Sequence, residues 1–218
     1  MGAGKSTAAR LLARRLGYRY IDSGAMYRAL AWKTLQLGLD LDDEPGLGRL
    51  AEAVSIAFEP SSDRQRIFVD GQEVSREIRE GEVGQAASKI SVLPGVRRAM
   101  VSRQRAMAAQ GGVVMDGRDI GTVVFPEADV KFYLEARLEV RVKRRYLETR
   151  AAGMCREVEE LAEEIRTRDA RDMGRGASPL RKADDAMTID TSDLDAVQVV
   201  AEMEDEIRRR VGVLKGCG

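Results

Sequence analysis

Histidine is absent from the 218 residues of this chain, and cysteine occurs only twice. Without histidine, the sequence excludes Ser-His-Asp and Cys-His nucleophilic catalysis, as well as zinc sites built on imidazole. Cys155 and Cys217 lack C-x-x-C spacing, so they predict neither a metal site nor a disulfide framework. Any catalysis must therefore use lysine, arginine, carboxylates, hydroxyls and backbone amides, and Mg²⁺ is a metal compatible with these groups. These groups suit phosphoryl transfer, in which positioning and charge neutralisation dominate catalysis.

An excess of either charge and long apolar runs are also missing. Lys+Arg and Asp+Glu each number 36, so the formal net charge is zero. This balance argues against a general nucleic-acid or membrane-surface binder. No apolar run approaches the ~20 residues of a membrane span, and the N-terminal residues lack the pattern of a signal peptide. We therefore expect a soluble cytoplasmic protein with neither a nucleic-acid nor a membrane partner.

The chain begins with half of a phosphate-binding loop. Residues Gly2-Ala3-Gly4-Lys5-Ser6-Thr7 match the second half of G-x-x-x-x-G-K-[ST], but the first glycine and its strand would precede Met1. In such a loop, backbone N–H groups and the following helix N-terminus face phosphate oxygens. Lys5 would reach the β- and γ-phosphates of ATP, and the Ser6 hydroxyl would ligate Mg²⁺. The alternative is a glycine-rich N-terminus before an ordinary helix.

The order of strand and helix patterns predicts an α/β fold. Apolar strand patterns at 18–22, 112–116, 130–134 and 186–190 alternate with helical patterns at 6–16, 26–37, 95–110, 137–151, 157–168 and 195–211. Such alternation indicates a P-loop-type parallel sheet covered by helices, with 112–116 as a buried strand. Alternating patterns at 55–59, 65–69 and 72–74, with turn signals at 60–63 and 70–71, predict a small antiparallel β insert.

Three clusters of charged residues follow predicted strands or end helices. Arg28 follows the strand ending at Asp22, and Arg118 and Asp119 follow the strand ending at Asp116. Arginine can bind a phosphate through two parallel hydrogen bonds, and a carboxylate can accept a hydrogen bond from an amine. The third cluster is 168–175. It predicts a cationic cleft that binds a polyanionic substrate, together with Arg141, Arg144, Arg145 and Arg150. The alternatives are that Arg28 is an exposed helix arginine, that 116–119 is a salt-bridged turn and that 168–175 is a solvated mixed-charge face.

Several of these motifs, in this order, resemble the bacterial cytidylate kinases, which are P-loop nucleoside monophosphate kinases. The most specific are Asp-Ser-Gly-Ala-Met-Tyr-Arg at 22–28 and Asp-Gly-Arg-Asp-Ile-Gly-Thr-Val-Val-Phe-Pro at 116–126, and the resemblance covers almost the whole chain. It implies a monomeric enzyme that transfers a phosphoryl group from ATP to CMP or dCMP with Mg²⁺. Another small-molecule P-loop kinase is the nearest alternative enzyme.

The resemblance also implies roles for individual residues. ATP phosphates would be bound by Gly2, Ala3, Gly4, Lys5, Ser6 and Thr7, with Ser6 on the metal. The CMP site would contain Ser23, Arg28, Ser88, Arg97, Arg118, Asp119, Arg168, Asp172 and Arg175. Arg28 and Arg118 would bind the CMP phosphate, Ser88, Arg97 and Asp119 the cytosine, and Arg168 and Asp172 the sugar. The catalytic group would be Lys5, Arg118, Arg144 and Arg168.

The same resemblance predicts the domain organisation. Residues 1–218 would form a single P-loop kinase domain, with 50–85 as the monophosphate-binding insert and 145–165 as a mobile lid. Members of the family carry a first strand and Gly-Pro-Ser before the loop, whereas this sequence starts with Met1. We expect that strand to be encoded upstream of Met1. The alternative is a truncated, non-catalytic CMP-binding remnant.

Overall fold

The described part of the chain is a mixture of helices and short strands. A computed structural model describes residues 1–59, 65–151, 153–174 and 180–212. The α-helices are α1 (Lys5–Leu16), α2 (Ser23–Gln36), α3 (Glu44–Ala53), α4 (Gly81–Ile90), α5 (Pro94–Ala108), α6 (Leu138–Ala151), α7 (Val158–Met173) and α8 (Ala196–Val211). The strands are β1 (Arg19–Asp22), β2 (Ile56–Glu59), β3 (Arg66–Val69), β4 (Gln72–Glu73), β5 (Val113–Asp116), β6 (Phe132–Glu135) and β7 (Met187–Asp190). The predicted α/β class is confirmed.

The chain divides into two compact units. One, which we call the terminal unit, contains Met1–Arg19 and Arg118–Gly218; the other, which we call the central unit, contains Tyr20–Gly117. The described strands form three separate sheets, β1–β5, β2–β3–β4 and β6–β7, and β6 pairs with β7 in parallel. The predicted insert at 50–85 and lid at 145–165 stay predictions.

The core of the central unit is built around α2. This helix packs against α3, α4, α5 and β3, and its Met26 and Leu30 are fully buried. The antiparallel sheet pairs Ile56 with Val69 and Val69 with Gln72. Asp70 and Gly71 connect β3 to β4 with positive φ angles of 49° and 82°, which is the conformation that an Asp-Gly hairpin turn requires. The turn predicted at 60–63 lies outside the described residues.

Two predictions in the central unit were wrong in detail. Helix α2 begins at Ser23 and not at 26, where the helical pattern starts, because the Asp22 side chain accepts a hydrogen bond from the Ala25 amide at 2.8 Å and caps the helix. All four residues of β5 are half-buried, although the sequence predicts a buried strand. Among the described strands β5 pairs only with β1, so β5 lacks a second neighbour on its other edge.

The terminal unit combines α1, α8, β6, β7 and the helix pair α6–α7. Helix α1 packs against α8 and ends at Gly17, whose φ of 66° is the left-handed conformation expected of a C-terminal glycine. Strands β6 and β7 pair in parallel from Phe132 with Met187 to Glu135 with Asp190. Helix α7 continues to Met173, beyond the predicted end at 168, and places the 168–173 cluster on helical turns. No helix among the described residues combines the length and the apolar character that a membrane crossing requires.

Leu30→Ala should destabilise the central unit, because it removes a side chain with 0% exposure from the middle of α2. We expect the free energy of unfolding to fall by about 2–5 kcal/mol, measured by urea denaturation. Leu37→Ala is the matched control, since Leu37 follows the same helix and is 52% exposed. An equal loss in both variants would contradict this account of the core.

Candidate active site

The loop before α1 contains two glycines in the left-handed conformation. Gly2 and Gly4 adopt left-handed φ angles of 80° and 79°. Gly4 is the N-terminal cap residue of α1, and no side chain caps this helix end. Ser6 and Thr7 are exposed, and Lys5 is half-buried. A helix N-terminus that lacks a side-chain cap presents amide N–H groups and a positive partial charge, which favours a bound phosphate.

The loop lies close to the backbone of α6. A Cβ atom added at Gly2 would lie 3.0 Å from both Cβ and the carbonyl oxygen of Arg141. Glycine is therefore required at this position both by its φ angle and by the approach of α6. The neighbouring Arg144, predicted to be catalytic, directs its guanidinium at backbone carbonyls, with Nη2 at 2.6 Å from Thr191 O and Nη1 at 3.5 Å from Gly2 O.

Arg118 and Asp172, both predicted site residues of the terminal unit, are brought together by the fold. The Arg118 Nε atom donates a hydrogen bond to the Asp172 carboxylate on α7. The Asp172 side chain is 3% exposed and the Arg118 side chain 28%. The Arg118 side chain therefore stays partly accessible, while the orientation of its guanidinium is fixed by a buried carboxylate. The prediction that Arg118 follows a strand end is consistent with its place two residues after β5.

Asp119 begins the turn that follows. It is buried, and its carbonyl oxygen accepts hydrogen bonds from the amides of Val123 at 2.9 Å and Val124 at 3.2 Å. These bonds close a single π-helical turn at Ile120–Val124, a rare conformation that is frequent at functional sites. The turn determines the backbone position from which the Asp119 side chain projects.

Lys131 supports this turn, and sequence reasoning did not single it out. Its ammonium group contacts the Asp185 carboxylate at 2.8 Å and the Pro126 carbonyl. A Cβ atom added at Gly121 would lie 3.1 Å from Lys131 Cδ, so the lysine stem packs beneath the turn. The side chain is 8% exposed. A lysine inside the apolar strand pattern 130–134 was the sequence signal, because a buried lysine needs a carboxylate partner.

The arginines from which the sequence predicts a cationic cleft are partly neutralised by carboxylates of the terminal unit. Arg141 pairs with Asp169, which also contacts the Met1 amino group at 3.1 Å. Burial raises the pKa of Asp169, but the hydrogen bond from Arg141 and the positive charge of the amino group outweigh it and hold the pKa below its ordinary value. Arg168 lies beside Met1, with Nη1 at 3.1 Å from the Met1 sulfur. Arg175 lies outside the described residues.

In the central unit, the predicted residues Ser23 and Arg28 are both held by strand ends. The Ser23 hydroxyl donates to the Asp116 carbonyl at 2.7 Å. Arg28 Nη2 contacts Asp22 Oδ2 at 3.1 Å, and Asp22 also caps α2. A Cβ atom at Gly24 would lie 3.1 Å from Arg28 Nη1. Glycine at position 24 therefore leaves room for Arg28 to fold back across the N-terminus of α2.

Ser88 and Arg97, predicted to read a base, are linked through Ser91. The Ser91 hydroxyl donates to the Ser88 carbonyl at 3.1 Å, and Arg97 Nη1 donates to the Ser91 carbonyl at 3.3 Å. Arg97 is 8% exposed. Ser91 follows the last residue of α4 and joins this helix to the N-terminal part of α5. The sequence gave no signal for this role beyond the end of the helical pattern.

Comparison with known proteins decides which family these motifs belong to. Residues 1–209 match the family model described as cytidylate kinase. The chain belongs to the cytidylate kinase family. This confirms the resemblance carried by residues 22–28 and 116–126 of the sequence.

Relatives named cytidylate kinase match over nearly the full length of both chains. The protein from Geobacillus thermodenitrificans (strain NG80-2) is 49% identical over 210 residues, which are 96% of this chain and 94% of the relative. The protein from Geobacter sp. (strain M21) is 45% identical, covering 96% of this chain and 90% of the relative. That from Pasteurella multocida (strain Pm70) is 41% identical, covering 97% and 93%.

Proposed function

We propose that this member of the cytidylate kinase family transfers the γ-phosphoryl group of ATP to CMP, giving ADP and CDP, and that dCMP is also an acceptor. The observation that carries the proposal is the family match over residues 1–209, which includes a glycine loop that opens a helix lacking a side-chain cap. We further propose that the enzyme is monomeric, as the resemblance to the family implies, and cytoplasmic.

The donor phosphates are proposed to bind the loop of the terminal unit. Backbone amides of residues 2–7 would face the phosphate oxygens, and Lys5 would contact the β- and γ-phosphates. Mg²⁺ in kinases needs only one or two protein ligands, since phosphates and waters complete its octahedron. The exposed Ser6 fits this requirement, and the described residues contain no cluster of three acidic or cysteine ligands that would hold the ion without a nucleotide. Bound Mg²⁺ would neutralise charge on the transferring phosphoryl group.

The residues proposed to bind the acceptor nucleotide are those that the resemblance to the family predicts. In the central unit, Arg28 would bind the CMP phosphate, Ser88 and Arg97 would bind the base, and Ser23 would support the pocket. In the terminal unit, Arg118 would bind the phosphate, Asp119 the exocyclic amine of cytosine, and Arg168 and Asp172 the sugar. Arg175 would be a further arginine near the CMP. A base-binding site built from buried polar groups rejects a base that leaves those groups without hydrogen-bond partners. Arg97 and Asp119 are both buried.

The chain's own residues contribute positioning and charge. Arginines neutralise the negative charge that spreads over the equatorial oxygens during transfer. Arg118 suits this role, because its orientation is fixed by Asp172 before any nucleotide binds. The proposed lid at 145–165 would exclude water that would otherwise hydrolyse ATP.

The decisive test is ADP formation from ATP and Mg²⁺ with a panel of acceptors. We expect turnover with CMP and dCMP, and much less with AMP, GMP or shikimate. Equal or faster turnover with another acceptor would overturn the proposed substrate. Calorimetric titration separates the remaining alternative: a non-catalytic remnant would bind CMP without binding ATP and without forming ADP.

Replacing Asp22 tests how Arg28 is positioned. Asp22→Asn keeps a good helix cap but removes the charge that faces Arg28. We expect the KM for CMP to rise about three- to tenfold in Asp22→Asn, with little change in melting temperature. Asp22→Ala should raise the KM similarly and, through loss of the cap, lower stability by about 1 kcal/mol. A normal KM for CMP in Asp22→Asn would show that the ion pair does not position Arg28.

A further inference from the structure

The hydroxyl group of Thr191 joins three segments of the terminal unit. Thr191 follows β7 and is 2% exposed. Its Oγ1 atom lies 3.1 Å from the carbonyl oxygen of Ala3, in the phosphate-binding loop, and 3.1 Å from the carbonyl oxygen of Glu135, at the end of β6. Its third neighbour is Arg144 of α6, whose Nη1 donates to Oγ1 at 3.0 Å. A single side chain thus connects β6, α6 and the loop.

The donors and acceptors of this cluster favour the bond to the loop. A hydroxyl has one proton to donate and two lone pairs to accept with. The Glu135 carbonyl already accepts the Thr191 backbone amide at 2.8 Å, while Arg144 fills an acceptor position on Oγ1. The Thr191 hydroxyl therefore donates its hydrogen bond to the Ala3 carbonyl.

Arg144 reinforces the same contact from the other side. Its Nη2 donates to the carbonyl oxygens of Thr191 at 2.6 Å and Leu194 at 3.4 Å, which fixes the guanidinium against the segment after β7. From there its Nη1 also approaches the Gly2 carbonyl at 3.5 Å. Two consecutive carbonyl groups of the loop, those of Gly2 and Ala3, therefore face the pair formed by Thr191 and Arg144.

The direction of a carbonyl determines the direction of the next amide. In a planar trans peptide the C=O and N–H bonds point in opposite directions. When the Ala3 carbonyl is held toward Thr191, the Gly4 N–H must point away from it; when the Gly2 carbonyl faces Arg144, the same holds for the Ala3 N–H. Consecutive N–H groups aimed to one side are what an anion-binding backbone concavity needs.

We propose that Thr191 is a positioning residue for ATP, which orients the Ala3–Gly4 peptide of the phosphate-binding loop through its hydroxyl. The proposal rests on the proposed function, because it takes the loop ligand to be the phosphates of ATP. It also gives Arg144 a second role in the free protein, that of fixing Thr191 and the Gly2 carbonyl. Thr191 itself does not touch the nucleotide.

The test compares Thr191→Val with Thr191→Ser, because valine keeps the shape without the hydroxyl and serine keeps the hydroxyl. Loss of one oriented hydrogen bond should raise the KM for ATP, and the calorimetric dissociation constant for Mg²⁺–ATP, about tenfold in Thr191→Val. The KM for CMP should stay within about twofold, and Thr191→Ser should restore ATP binding. Ser192→Ala is the matched control, since that hydroxyl contacts Asp190 and the Arg137 amide instead of the loop.

The possible outcomes distinguish failure of the positioning role of Thr191 from failure of the proposed function. Normal ATP binding by Thr191→Val, or equal rises in the KM for ATP and for CMP, would overturn the positioning role. If Thr191→Val does not fold, Thr191→Ala is compared in the same way, because alanine also lacks the hydroxyl group. If the wild-type protein binds Mg²⁺–ATP but does not phosphorylate CMP, the proposed function fails, and the ATP titrations still decide the role of Thr191.

Discussion

Arg118→Ala should lower kcat/KM for CMP by about 10²–10³-fold, because it removes the guanidinium proposed to bind the acceptor phosphate. It should also destabilise the fold. The Asp172 side chain is 3% exposed, and removing the cation that faces a buried carboxylate costs about 3 kcal/mol. Coupled ADP assays with CMP as the varied substrate measure the first effect, and urea denaturation measures the second.

A double variant separates these two effects. Arg118→Ala/Asp172→Asn should regain most of the lost stability, because the buried carboxylate charge is removed together with its cation. Its activity with CMP should stay low, since the guanidinium is still missing. The single variant Asp172→Asn is the control for the sugar-binding role proposed for Asp172. Normal turnover of CMP in Arg118→Ala would refute the assignment of Arg118, whatever the stability data show.

Lys5→Ala should lower kcat by about three orders of magnitude, because Lys5 is the cation proposed to contact both the β- and the γ-phosphate of ATP. Lys5 is the first residue of α1, directly after the left-handed Gly4. The substitution removes a charge from a half-buried position and leaves the apolar face of α1 intact, so we expect little change in melting temperature. Steady-state assays at saturating CMP and ATP measure kcat directly.

Two further measurements test whether the effect of Lys5→Ala is specific to the phosphate donor. Calorimetric titration should show that Lys5→Ala binds CMP with the wild-type dissociation constant, since the residue is proposed to act on the donor. Lys182→Ala is the matched control, because Lys182 is an exposed lysine of the same unit and contacts the Thr188 hydroxyl at 3.1 Å. Comparable losses in both variants, or weakened CMP binding in Lys5→Ala, would contradict the assignment.

The elements of the fold were predicted well where their signals are local. The end of α1 at Gly17 and the Asp70-Gly71 turn each follow from the backbone angles that one or two residues prefer. The extension of α7 to Met173 was missed, because charged helix formers continue up to Gly174 without an apolar period to mark them. The burial of β5 was overestimated, since an apolar run does not reveal how many strands will flank it.

The sequence by itself determined the α/β class, the phosphate-binding half-motif and the family, because these depend on residue types at fixed short spacings. Only the tertiary structure decided which side chains contact the predicted site residues. Arg118 meets Asp172 across 54 positions, and Thr191 meets Ala3 across 188. Such contacts depend on how α6, α7 and the ends of β6 and β7 pack, and packing is a property of the folded chain that local spacing does not encode.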